Sequence, residues 1–230
     1  MKGHFFLDPP PEFQGLDPDG EIQLYERNLP HWRQQGATYF VTFRLVDSLP
    51  KSKLNELKSL RDTLAQELKN WPSDQDELWK QHAKMVMKKS EGWLDQRLGS
   101  CVLRNDSNRK IVHDALLYFH MKRHETGAFV VMPNHVHTLL RPLGDYSLEQ
   151  ILRSIKRESA RKINAESGKS GAFWQEESYD RIVREPEHLW QCLQYIGKNP
   201  AKANLGQGDD RRWVSETWRE CGWDFKDEQQ

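Results

Sequence analysis

Apolar and polar positions change their period several times along the chain, and each change marks an element. Ala37 to Val46 (ATYFVTFRLV) alternates, with Tyr39, Val41 and Phe43 set against Thr38, Phe40 and Thr42. Aromatic and β-branched residues dominate there, which predicts a strand. Leu54, Leu57, Leu60, Leu64 and Leu68 then recur at helical spacing, and Trp71-Pro72 closes that helix. Ser73 with Asp76 resembles a capping box for a second helix running to about Trp93. A third helix begins near Ser107 and buries Ile111, Ala115, Leu116 and Phe119. Gly127 leads into the strand AFVVM, Pro133-Asn134 makes a tight turn, and HVHTLLRPL returns as the second strand of a hairpin. Ser147 with Gln150 caps a helix from Leu148 to about Asn164. A fourth strand falls at about Ser178 to Arg184, and Pro186 opens a final helix that Pro200 ends.

Apart from the extra helical material, this order is close to a βαββαβ unit. The expected fold is therefore α+β and ferredoxin-like, an antiparallel sheet with helices on one face and an inserted helical segment at about residues 51–123. Residues 1–35, with Pro9 to Pro11 and the DPDG stretch, read as an irregular N-terminal segment. The main domain spans 36–205. Residues 206–230 form a C-terminal tail, whose Trp213, Trp218 and Trp223 are expected to pack back onto the body.

A length of 230 residues suits one domain with a sizeable insertion. Its 34 Lys and Arg balance 34 Asp and Glu, so only a local patch can argue for a nucleic-acid partner. No apolar run approaches the roughly 20 residues that span a bilayer, and the start MKGHFFLDPPP is too short in apolar residues for a signal peptide. Cys101, Cys192 and Cys221 lie far apart with no CxxC pair, which indicates neither a disulfide framework nor a zinc cluster. The chain reads as cytoplasmic, with no membrane partner.

The chemistry sits in MPNHVHTLL, Met132 to Leu140. A strand alternates its faces with period two, so His135 and His137 point one way while Val136 and Thr138 point the other. In the last helix Leu189, Cys192, Leu193 and Ile196 form the core stripe. Beside it Gln191, Tyr195 and Asn199 stack at intervals of four. If that helix packs near the hairpin, two imidazoles, an amide oxygen and a phenol converge. Two neutral nitrogens and an amide oxygen can hold Mg²⁺ or Mn²⁺ with positions left open for phosphate oxygens. The phenol is then the nucleophile, and attack on a phosphodiester yields a phosphotyrosine that keeps the bond for rejoining. A hydrolase using water would need no tyrosine.

MPNHVH resembles the HUH motif (His, bulky hydrophobic, His) of single-strand DNA endonucleases. YIGKNP, Tyr195 to Pro200, resembles the tyrosine-helix signature of the REP-associated tyrosine transposases, relatives of the IS200/IS605 type. The resemblance runs from about Pro30 to Leu205 and includes LPHW, ATYFVTFRL and FWQEESYDRIVR. It implies metal ligation by His135, His137 and Asn199, and nucleophilic attack by Tyr195. It also implies single-stranded DNA hairpins as partners, nicked to leave a 5′-phosphotyrosine and a free 3′-hydroxyl. The long helical stretch before the HUH hairpin and the neutral overall charge depart from the family pattern.

Plainer alternatives accompany each residue. The histidines could be strand residues bonded to their neighbours, Asn199 a helix-end residue serving backbone groups, and Tyr179 a rival nucleophile. Arg153, Lys156, Arg157 and Arg161 lie on a helix that follows directly from the hairpin and are candidate phosphate contacts, though such faces are often simply solvated. Trp32 and Arg33 are further DNA-binding candidates, by analogy with the family. The reading is a metal-dependent single-strand DNA endonuclease and strand transferase, nucleoid-associated and preferentially monomeric. Its runner-up is a hairpin-DNA-binding regulatory or structural protein without cleavage activity, and a weaker third is a hydrolase of small phosphate compounds.

Overall fold

The computed structural model describes residues 7–26, 30–70, 85–86, 88–206 and 208–226. Its centre is a five-stranded antiparallel sheet. In chain order the strands are β3 (Tyr39–Arg44), β4 (His124–Val131), β5 (His135–Pro142), β6 (Tyr179–Ile182) and β7 (Arg211–Val214), arranged β6-β3-β5-β4-β7. Alternation along the strands creates two faces. Tyr39, Val41, Phe43, Phe129, Val131 and Val136 share one with Val112 and Leu116 of α2 (Asp106–Leu117) and Ile151 and Ile155 of α3 (Leu148–Glu166). Phe40, Ala128, Val130 and Leu139 share the other with Leu189, Cys192, Leu193 and Ile196 of α4 (Pro186–Lys202).

The antiparallel α+β class is the expected one, but the helices cover both faces of the sheet rather than one. The reason lies in the strands themselves. Every position of β4 and β5 is buried, and nearly every position of β3. A sheet with two water-excluded faces needs a layer on each side.

Two short pieces extend the expected topology. β1 (Gln23–Glu26) and β2 (Pro30–Arg33) pair as a separate two-stranded ribbon in the segment read as irregular. β7, in the tail, pairs with β4. The tail does pack back as expected: Trp213 stacks on Phe129 with ring centroids 5.4 Å apart, and Trp218 and Trp223 are buried, Trp218 within α5 (Glu216–Glu220). Gly127 makes this possible, since a Cβ there would stand 2.2 Å from the Trp218 ring. It lies where the β4–β5 register shifts.

The local signals in the sequence match the termini of the helices. The capping box at Ser147 and Gln150 is formed. Asn105 caps α2 through Oδ1, which accepts from Ser107 N at 2.8 Å. α4 begins at Pro186 but continues past Pro200 to Lys202. A proline removes a donor only to the turn before it, so in a last turn the chain can carry on.

α1 (Lys51–Asn70) and the helical residues 88–94 lie between β3 and α2 in the chain. Their Leu57, Trp93 and Leu94 join Leu49 and Val86 in a third apolar cluster. The expected stop at Trp71-Pro72 and start at Ser73 fall outside the described residues. Among the described residues, no helix is long and apolar enough to cross a membrane.

Candidate metal and tyrosine site

β5 turns His135 and His137 toward the face covered by α4, and both are about 1 % exposed. The Nδ1 atom of each ring is engaged. Asn134 Oδ1 lies 2.8 Å from His135 Nδ1 and can only accept, which places the proton on Nδ1 and leaves Nε2 with a free lone pair. Thr42 Oγ1 lies 2.7 Å from His137 Nδ1. The β3–β5 register sets Thr42 directly opposite His137. The two Nε2 atoms then face each other at 3.0 Å. A ring proton shared between them or a bound cation accounts for that distance. Two nitrogen ligands about 2.1 Å from one ion at a right angle are about 3.0 Å apart.

α4 brings Tyr195 and Asn199 to the same place. The Tyr195 ring stands edge-on to His137 at 5.3 Å and to Phe40 at 5.8 Å. Asn199 is fully buried, yet neither its Oδ1 nor its Nδ2 has a hydrogen-bond partner among the described residues, nor does the Tyr195 hydroxyl. A buried amide with no partner costs about 1–3 kcal/mol, and such a group calls for an explanation. Two imidazole nitrogens and a buried amide oxygen fit a divalent cation of the Mg²⁺ or Mn²⁺ kind. Among the described residues, no group of three or more His, Cys, Asp or Glu could hold a metal.

Electrostatics agree with that chemistry. Burial lowers His135 to about 3 and His137 well below the usual imidazole range, so both are neutral at pH 7 as ligands must be. Burial also pushes the Tyr195 phenol far above its ordinary value, and the negative charges of Glu91 and Asp95 raise it further. An ionised nucleophile at this position therefore needs a base or a cation beside it. Tyr179, the rival tyrosine, sits on β6 opposite Thr42, one strand further from the histidines, and burial raises it to about 12. Gln191, on the same helix face as Tyr195 by spacing, is exposed.

Sequence reasoning missed four polar groups at this site. Thr42 and Asn134 could have been found only from strand register and turn geometry. Glu91 and Asp95 come from the helical insertion, about 100 residues away in sequence, with nothing to distinguish them from other charged helix positions. Lys202 Nζ pairs with Asp95 at 2.6 Å and lies 5.5 Å from the Tyr195 ring centroid.

The candidate DNA contacts divide. Arg153, Lys156 and Arg157 line a cavity of about 470 Å³ with Arg33, against the loop that leads into β6. Lys156 Nζ donates to the carbonyls of Gln175 and Glu176, both at 3.0 Å. Arg161 is exposed and bonded to Glu158. Arg33 pairs with Asp180 and Glu149, and Trp32 packs partly buried against the core. A second cavity, lined by Thr42, Glu91 and Tyr179, shares Gln175, Glu177 and Ser178 with the first. The two openings thus meet at the sheet edge.

Residues 102–199 match the model of the family described as IS200-like transposases. A solved structure described as a REP-associated tyrosine transposase bound to a REP hairpin is also similar, at 18 % identity over 80 % of this chain and 76 % of that one, with a TM-score of 0.43. No curated protein matches the chain. The matched segment holds His135, His137, Tyr195 and Asn199, and over residues 102–199 the chain is similar to the IS200-like transposases, as the motifs in the sequence implied.

Proposed function

We propose that the protein is a metal-dependent, tyrosine-nucleophile endonuclease and strand transferase acting on single-stranded DNA hairpins of the REP-like kind. The observation that carries this reading is the Nε2 pair at 3.0 Å beside a buried amide and a phenol that have no hydrogen-bond partner among the described residues. A hydrolase of small phosphates has no use for the phenol. The family match over 102–199 supports a transposase, and the hairpin substrate rests on the resemblance of the motifs.

His135, His137 and Asn199 would hold Mg²⁺ or Mn²⁺, which supplies Lewis-acid polarisation and orientation of the scissile phosphodiester. The chain's own residues do the rest. Asn134 and Thr42 fix the two rings so that both Nε2 atoms stay turned to one point. Phe40 and His137 hold the Tyr195 ring edge-on, aiming its hydroxyl. Tyr195 Oη forms a bond to phosphorus as the P–O3′ bond breaks, giving a 5′-phosphotyrosine and a 3′-hydroxyl. Arg153 and Arg157, exposed at the cavity wall, contact the backbone phosphates. Monomeric action, on nucleoid DNA in the cytoplasm, is part of the same reading. Its support is that the apolar stripe of α4 is buried in the chain's own core.

The test is cleavage of end-labelled single-stranded hairpins with Mg²⁺, with Mn²⁺ and with chelator. Metal-dependent nicking supports the reading. Hairpin binding with no nicking under any condition would move it to the binding-protein alternative.

A further inference from the structure

We propose that Glu91, on the helical segment between β3 and α2, is the proton acceptor for Tyr195, so that this segment completes the active site. The inference rests on the endonuclease reading above and adds a residue to it.

Glu91 lies one turn before Asp95, which pairs with Lys202 at 2.6 Å. Lys202 Nζ stands 5.5 Å from the Tyr195 ring centroid, so the helix end carrying Glu91 is held against Tyr195. The Glu91 Oε1 is buried and, like the Tyr195 hydroxyl, completes no hydrogen bond among the described residues. A buried donor and a buried acceptor are thus neighbours. A cavity of about 470 Å³, lined by Glu91, Leu94, Thr42 and Tyr179, opens on the Glu91 side.

The segment is fastened at both sides of the site rather than hung loosely over it. Asn134, next to His135, donates from Nδ2 to Leu98 O at 3.1 Å and to Leu94 O at 3.4 Å. Lys202, three residues beyond Asn199, pairs with Asp95 at 2.6 Å. Glu91 is therefore positioned by contacts to the neighbours of two proposed metal ligands. Burial makes its carboxylate more basic, while Arg181 and Lys202 nearby favour the charged form. A base of that kind suits a phenol.

The step balances simply. The phenolic proton passes to the Glu91 carboxylate as Tyr195 Oη bonds to phosphorus. The departing 3′ oxygen takes a proton from water and leaves as a hydroxyl. Rejoining reverses both transfers.

The experiment compares wild type with Glu91→Gln, Glu91→Asp and Glu91→Ala on a labelled single-stranded hairpin with Mn²⁺, reading hairpin affinity and the single-turnover rate of covalent adduct formation. Loss of a general base costs about 10²–10⁴ in rate. We expect Glu91→Gln to lose about 100-fold or more in rate with hairpin affinity within about 3-fold of wild type. Glu91→Asp should recover part of the rate, and added formate should restore adduct formation in Glu91→Ala. Adduct formation by Glu91→Gln at the wild-type rate overturns the proposal. So does a Glu91→Ala protein that formate fails to restore. If wild type itself forms no adduct, it is the endonuclease reading that fails.

Discussion

His135 Nε2 and His137 Nε2 face each other across 3.0 Å, each ring held from behind by a different group, Asn134 for the first and Thr42 for the second. The pair is thus set by two local devices, the turn before β5 and the β3–β5 register. Thr42→Val removes one of them without changing the shape of the strand. Losing such a supporting hydrogen bond typically costs 10–100-fold in metal affinity. Calorimetric titration with Mn²⁺ should show a loss in that range, with the thermal midpoint little changed. Unchanged affinity would show that the His137 ring needs no anchor.

Tyr195→Phe removes a buried hydroxyl that has no partner among the described residues. A hydroxyl bonded in the core would cost about 1 kcal/mol or more when deleted. Here urea unfolding should find the variant as stable as wild type or slightly more so, and hairpin affinity should be retained. A marked loss of stability would mean that the hydroxyl is a structural anchor.

Arg33 and the arginines of α3 line one cavity, but their substitutions should have different effects. Arg33 pairs with Asp180, whose side chain is only 2 % exposed, at 2.6 Å. Arg33→Ala breaks a two-pronged pair to that buried carboxylate, a change that costs up to about 3–5 kcal/mol. Arg153→Ala with Arg157→Ala alters exposed side chains and should leave stability within about 0.5 kcal/mol. It should instead weaken hairpin binding and flatten its dependence on salt. The log–log slope should fall by about 0.7 for each single-strand phosphate that the protein no longer neutralises. Denaturant midpoints beside binding titrations at several salt concentrations separate the two.

Acid should destabilise the fold early. The folded-state pKa of His135 is about 3, below the unfolded value near 6.5. Between these values the unfolded chain binds a proton that the folded chain refuses. Stability is then full above about pH 6.5 and falls as pH drops toward 3, by up to about 1.4 kcal/mol per unit for this group alone. His188, held down to about 4 by burial, acts in the same direction over the upper part of that window. Urea midpoints at pH 7.5, 5.5 and 4.5 should decline in that order in metal-free protein; a flat series would contradict the buried, neutral histidine pair.

Much of this was legible in the sequence because the signals are local. Period-two alternation placed β3, and a turn between two apolar runs placed β4 and β5. A capping box and a proline placed the starts of α3 and α4. The stack of Tyr195 and Asn199 followed from one helical turn. What escaped depends on contacts far apart in the chain. The second helical face of the sheet follows from strands buried on both sides, which short apolar runs do not reveal. β7 is four residues long, and its Arg211 and Arg212 hide the pairing that Trp213 and Val214 secure. The Arg33–Asp180 pair joins residues 147 apart in the chain, which no local pattern reveals. Glu91 meets Tyr195 only through the packing of a segment that the sequence leaves as an insertion.

The most direct test of the account is to identify the residue that carries the DNA. The protein is incubated with a single-stranded hairpin and Mn²⁺, denatured, digested and analysed by mass spectrometry. The account predicts one modified peptide, with a 5′-phosphonucleotide on Tyr195, absent when the metal is chelated and absent in Tyr195→Phe. A nicked hairpin with no modified peptide, or with the nucleotide on Tyr179, would contradict it.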